Sequence, residues 1–157
     1  MSYEYNGFRK NRDQTLNTII NVDLHIHSIK SKYKEGKIKR DDGTEIGIVN
    51  ESDFNHIDVL LAHLDNNNIN MFAFTDHNRF NRDLFEKTAE LIETTDKYKN
   101  IMCLLPGVEF DVQIEQGKDT CHIITIFDAK SNDDLLKIEN NIKKRNIIWL
   151  RKMNTMI

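Results

Sequence analysis

The stretch Met71-Phe72-Ala73-Phe74-Thr75-Asp76-His77-Asn78 decides how the chain is read. A short apolar run that closes abruptly on polar residues reads as a buried strand whose carboxyl end opens onto a site. Upstream, Ser52 to Asp65 reads as a helix with Ser52 as its cap, because Phe54, Ile57, Leu61 and Leu64 recur at spacings of three and four. Downstream, a second helix from about Arg82 to Tyr98 turns Leu84, Phe85, Thr88, Leu91, Ile92 and Thr95 inward, and a strand follows from Ile101 to Leu105. Strand, helix, strand, helix, strand in succession predicts an α/β sheet with parallel elements.

Further out, the same placement of a His or Glu at a strand edge recurs. A first strand from Ile19 to Ser28 contains Asp23-Leu24-His25-Ile26-His27-Ser28. Side chains alternate along a strand, so Asp23, His25 and His27 share one face while Val22, Leu24 and Ile26 enter a packed layer. Pro106-Gly107 reads as a bend, followed by a strand from Val108 to Ile114 in which Val108, Phe110, Val112 and Ile114 alternate with Glu109, Asp111 and Gln113. After a turn at Gln116 to Asp119, Cys121-His122 opens the apolar run to Phe127, and a final helix covers about Asn132 to Met156, with Leu135, Ile138, Ile142, Trp149 and Met153 near one face. Four such placements point to convergence on one site. Paired imidazoles suit a borderline divalent cation such as zinc, manganese or iron, and a carboxylate among them can bridge two.

The ordered motifs DLHIHS (23–28), TDHN (75–78), PGVEF (106–110) and CHII (121–124) resemble the Polymerase and Histidinol Phosphatase (PHP) family of metal-dependent phosphoesterases, over roughly Asn21 to Phe127. The resemblance implies a distorted, seven-stranded β/α barrel holding two or three divalent ions (Mn, Zn or Fe) at the carboxyl ends of its strands. It implies His25, His27, His77, Glu109 and His122 as ligands, with Glu109 and His77 at the catalytic centre. Asp23 and Asp76 are expected behind them, orienting the imidazoles. Lys32 stands where the family commonly places a further Asp or His, and no histidine follows His122. The metal set is therefore incomplete.

At 157 residues the chain is long enough for one domain but short of the ~250 typical of a complete β/α barrel. The expectation is a polar lead-in arm over 1–18 and the amino-terminal part of a PHP-like domain over 19–157, continuing into a larger chain. The alternative is a minimal protein whose site a partner subunit completes. A net charge of −3 gives no global attraction to nucleic acid. Yet the glycine-punctuated loop over 30–50 carries Lys30, Lys32, Lys34, Lys37, Lys39 and Arg40 just after the strand with His25 and His27. It is either a solvated loop or a substrate-binding arm that draws a phosphate backbone toward the metals. His56 and His63 flank a helix stripe and are set aside, Asp111 is expected to be solvated, and Cys103 and Cys121 read as buried free thiols of a reducing cytoplasm. No apolar run reaches the ~18 residues of a membrane span, and no signal sequence is evident at the start. Neither a GxxxxGK[ST] phosphate loop nor a GxSxG nucleophile turn is present.

These readings predict a metal-dependent phosphoesterase, with a nucleic-acid phosphodiester as favoured substrate. A small-molecule phosphatase resembling histidinol phosphatase is the second reading, and a noncatalytic module for assembly or partner binding the third. With part of the metal set absent, this chain alone is expected to be weakly active or inactive.

Overall fold

The computed structural model describes residues 5, 19–28, 37–39, 42–47, 56–113 and 120–154. The elements in chain order are β1 (Asn21–Ile26), β2 (Lys37–Lys39), β3 (Glu45–Gly47), α1 (Ile57–Asn66), β4 (Ile69–Phe74), α2 (Arg82–Thr94), β5 (Cys103–Gln113), β6 (Thr120–Ile126) and α3 (Asn132–Asn154). Strands β1, β4, β5 and β6 form, in that order, a curled four-stranded half-barrel. The first three are parallel, and β6 runs antiparallel to β5. The segment read as a loop over 30–50 carries a small antiparallel ribbon of β2 and β3. Ser52 and Phe54 lie outside the described residues, as do Lys30, Lys32, Lys34 and Arg40.

Helix α2 begins where Asn81 caps the Leu84 N–H at 3.4 Å, and it ends when Thr95 turns extended. Its inward face buries Leu84, Phe85, Thr88, Ala89 and Ile92, and the Thr88 hydroxyl is satisfied by donating to Leu84 O at 2.7 Å. At the start of α3, Ser131 Oγ donates to Asp134 Oδ2 at 2.9 Å while Asp134 N donates back to Ser131 Oγ at 3.3 Å, a reciprocal cap. Ile57, Leu61 and Leu64 of α1, the inward face of α2 and Leu135 and Ile142 of α3 pack with Phe72, Leu104 and Val108 of the sheet. Burying each large apolar side chain contributes about 1.5–3 kcal/mol. Tyr5, within the stretch read as a polar arm, is buried. Its N–H donates to Asn132 Oδ1 at 2.8 Å, and its ring meets the edge of Phe85.

Two features of the sheet depart from expectation. Pro106-Gly107 makes no break: β5 runs straight through it as one strand of 11 residues. Its first part pairs with β4 up to Phe74↔Pro106, and its second part pairs with β6 from Gly107↔Ile126 onward. Proline has no N–H to give a ladder, so it sits at the changeover, where its carbonyl accepts from Phe127 N at 2.8 Å. Gly107 is needed there because a Cβ would come within 2.8 Å of Thr75 Cγ2 and 2.9 Å of Ile126 Cδ1. Finally, Val22 is 50% exposed where a packed residue was expected, since β1 is an edge strand and only Ile26 of its apolar set is buried.

Candidate metal centre

The carboxyl ends of β1 and β4, the middle of β5 and the start of β6 meet at one rim. The antiparallel direction of β6 is what brings His122, near its beginning, to the edge where the parallel strands end. Beyond Phe74 the chain keeps hugging β5: Glu109 N donates to Asp76 O at 3.3 Å, and Asn78 N donates to Glu109 O at 2.7 Å. That extension sets His77 beside Glu109. Thr75 N in turn donates to Ile26 O at 2.8 Å, which ties the end of β1 to the same rim.

Glu109 is 1% exposed and stands at the centre. Its Oε2 lies 3.0 Å from His25 Nε2, 3.2 Å from His27 Nε2 and 3.5 Å from His77 Nε2. Its Oε1 lies 2.6 Å from His122 Nδ1 but, among the described residues, has no donor in hydrogen-bond alignment. The His27 and His77 rings stack with centroids 4.9 Å apart, and His122 meets His77 edge-on. All five expected ligands are thus brought together. They form two groups able to hold a cation, His25–His27–Glu109 and His77–Glu109–His122, with Glu109 in both.

Two observations fit these groups to divalent cations. The donor atoms of the first group are separated by 3.0, 3.0 and 3.2 Å. Bonds of ~2.0–2.1 Å at a tetrahedral centre place donor atoms about 3.3 Å apart, so this triangle already has the dimensions of one face of a zinc-like site. The second is the misaligned Oε1. A buried carboxylate oxygen without an aligned donor is costly, and a cation between it and the neighbouring imidazoles relieves that cost. All the donors are imidazole or carboxylate, the set that suits zinc, manganese or iron.

Among the described residues, the hydrogen bonds of the two expected orienting aspartates go to backbone and hydroxyl, while Asp76 also interacts with His27 through its charge. Asp23 Oδ1 accepts from the His25 backbone N–H at 3.1 Å. Asp76 accepts from Ser28 N at 2.6 Å and from the Ser28 hydroxyl, locking the end of β1 just after His27. Burial pushes the Asp76 carboxyl above its ordinary range, against the pull of the Ser28 hydrogen bonds. The ring-orienting contact comes from Asp111, which was expected to be solvated. Its Oδ1 lies 2.9 Å from His77 Nδ1 and 3.5 Å from His122 Nε2, and its side chain is 11% exposed. Asn78 holds it there: Asn78 Nδ2 donates to Asp111 Oδ2 at 2.9 Å, and Asp111 N donates to Asn78 Oδ1 at 3.1 Å. Asn78 has φ +53°, a left-handed conformation that asparagine tolerates better than most residues. The i, i+2 spacing from Glu109 was the available sign that Asp111 shares the site's face.

His63 is exposed on α1, and neither it nor His56 belongs to either cation group. Among the described residues, Cys103 and Cys121 form no disulfide, and both are only half-buried. Among the described residues, no helix is long and apolar enough to cross a membrane. Set against family models, characterised proteins and solved structures, the chain matches none.

Proposed function

We propose that this half-barrel is part of a PHP-type barrel and that the chain is a metal-dependent phosphoesterase, with a nucleic-acid phosphodiester as favoured substrate. The observation that carries the reading is Glu109, a buried carboxylate common to both cation groups, with His25, His27 and His77 around Oε2 and His122 against Oε1. His25 and His27 serve one cation, His77 and His122 the other, and Glu109 joins them. When bound, divalent cations supply a lowered water pKa and compensation for phosphoryl charge. The chain's own contribution is to hold the donors: the Ser28–Asp76 pair fixes the exit of β1, and the backbone bonds between 76–78 and β5 fix His77 against Glu109. The preference for nucleic acid rests on the sequence position of Lys30, Lys32 and Lys34 after β1.

The test has two arms. Purified protein stripped with chelator and titrated with Zn²⁺ or Mn²⁺ is expected to take up two equivalents, and uptake of none would overturn the metal centre. Binding of a single-stranded oligonucleotide is then measured against salt, with His25→Ala in the background to prevent turnover. Replacing Lys30, Lys32 and Lys34 by Gln is expected to flatten the log–log slope by about 0.7 per lost phosphate contact. Two metals with an unchanged slope would favour a small-molecule phosphatase. A noncatalytic module is supported by Lys32 at a usual ligand position, and it would show metal uptake with no hydrolysis of any phosphate ester.

A further inference from the structure

The two imidazoles of the second cation group are turned alike. Each directs one ring nitrogen toward Glu109 and the other toward Asp111. His77 has Nε2 at 3.5 Å from Glu109 Oε2 and Nδ1 at 2.9 Å from Asp111 Oδ1. His122 has Nδ1 at 2.6 Å from Glu109 Oε1 and Nε2 at 3.5 Å from Asp111 Oδ1. A neutral imidazole carries one proton, and the nitrogen that donates leaves the other with a free lone pair. We infer that Asp111 is a positioning residue that selects the tautomer of His77: it holds the proton on Nδ1, so the remaining lone pair on Nε2 faces the cation shared with Glu109. The inference deepens the metal-centre reading above and rests on it for its functional meaning.

The selection is exerted at His77, where the contact is a hydrogen bond of good length; His122 Nε2 stands 3.5 Å from the same oxygen and is only an electrostatic neighbour. Asp111 can do this because its own orientation is fixed. The Asn78 amide takes Oδ2, leaving Oδ1 for the rings, and the Asp111 N–H returns a bond to Asn78. The left-handed turn at Asn78 is what aims that amide back onto β5. His77 is the diagnostic residue, because an unconstrained histidine in water prefers its proton on Nε2 and Asp111 enforces the opposite form.

The test is ¹⁵N NMR of histidine-labelled protein, first metal-free and then with Zn²⁺, alongside Asp111→Ala. Wild type is expected to show His77 protonated on Nδ1, reverting to Nε2 in Asp111→Ala. Titration of the variant is expected to show the first zinc equivalent unchanged and the second weakened by roughly 10–100-fold, the usual cost of losing a partner behind a ligand. A wild-type His77 protonated on Nε2 overturns the inference without any variant, so it stays testable if Asp111→Ala fails to fold. Retention of the Nδ1 proton in Asp111→Ala overturns it equally. The two readings separate cleanly. An Nδ1-protonated His77 in a protein that takes up no metal sinks the metal centre and leaves the positioning role standing. Two zinc equivalents with His77 in the Nε2 form do the reverse.

Discussion

The two centre strands and the two edge strands of the half-barrel contribute to one site on different terms. From β5 and the extension of β4 come Glu109 and His77, whose side chains are 1% and 2% exposed and held by backbone hydrogen bonds on both sides. From the edges come His25, 52% exposed, and His122, 45% exposed, with His27 at 12% the one edge donor that is largely buried. The edge strands also leave Val22 and Ile123 half in solvent. Donors at the centre are ordered before any ligand arrives, whereas those at the edges give up side-chain freedom on binding. In the proposed metal centre, affinity would be anchored by the centre and completed from the edges, and substitutions at the two should fail differently.

The sharpest break comes at the centre. Glu109→Gln removes the one carboxylate common to both groups, so both metal equivalents should be lost, each weakened by more than about 100-fold, since even an outer-shell partner costs 10–100-fold. Isothermal titration with Zn²⁺ checks this. If one equivalent survives at wild-type affinity, Glu109 does not join the groups.

Next in size is the contrast between His77→Ala and His25→Ala. Each should abolish one equivalent and spare the other. In chelator, however, urea denaturation should find His77→Ala destabilised by about 1–3 kcal/mol, because Asp111 loses a donor at a nearly buried position. His25→Ala, at an exposed edge, should change stability by no more than about 0.5 kcal/mol. Equal losses would erase the distinction between centre and edge.

Much of the site was legible because period-two alternation places side chains on faces: His25 with His27, Glu109 with Asp111. Alternation does not say which strand lies at an edge, so Val22 was expected inside. Nor does it give strand direction; the short turn at Gln116 to Asp119 was the available sign that β6, which delivers His122 to the rim, runs antiparallel to β5. Pro106-Gly107 carries turn chemistry locally, yet β5 passes through it because two different neighbours pair on either side. Asp111 looked solvated because its partner, Asn78, reaches it through a left-handed backbone turn that no periodicity encodes. The helices were nearer to hand: α2 starts at Arg82 as expected and stops at Thr94, four residues short of Tyr98.

Gly107 tests the junction that holds centre to edge. A methyl group added there meets Thr75 Cγ2, Ile126 Cδ1 and Phe74 O, the last a backbone atom at 3.2 Å that cannot swing away. Gly107→Ala is therefore expected to cost about 1–3 kcal/mol by overpacking, measured by urea denaturation. Because Thr75 precedes the His77 turn, and Ile126 belongs to β6, the same change should weaken the second metal equivalent more than the first. A variant as stable as wild type would show that the β4–β5–β6 junction has slack.

The smallest effect belongs to Asp76, which fastens edge strand β1 to the rim through Ser28. Burial is opposed there by the Ser28 hydrogen bonds and, more weakly, by the charges of His27 and Arg79. Burial favours the neutral acid, while the hydrogen bonds from Ser28 favour the carboxylate, and burial is the larger. The folded-state pKa is then raised above the ordinary 3.8, so in the window between them the folded chain holds a proton that the unfolded chain has released. Stability contributed by Asp76 must therefore fall as pH rises through that window and level off above it. Asp76→Asn keeps the shape and an acceptor for Ser28 N but cannot titrate. Subtracting its stability–pH curve from that of the metal-free wild type isolates Asp76 from the other carboxyls, including Glu86, also raised, and Asp134, lowered by its cap. The difference should decline with rising pH. A difference that climbs instead would mean that the Ser28 bonds outweigh burial, and that β1 is fastened to the rim by a charged clasp.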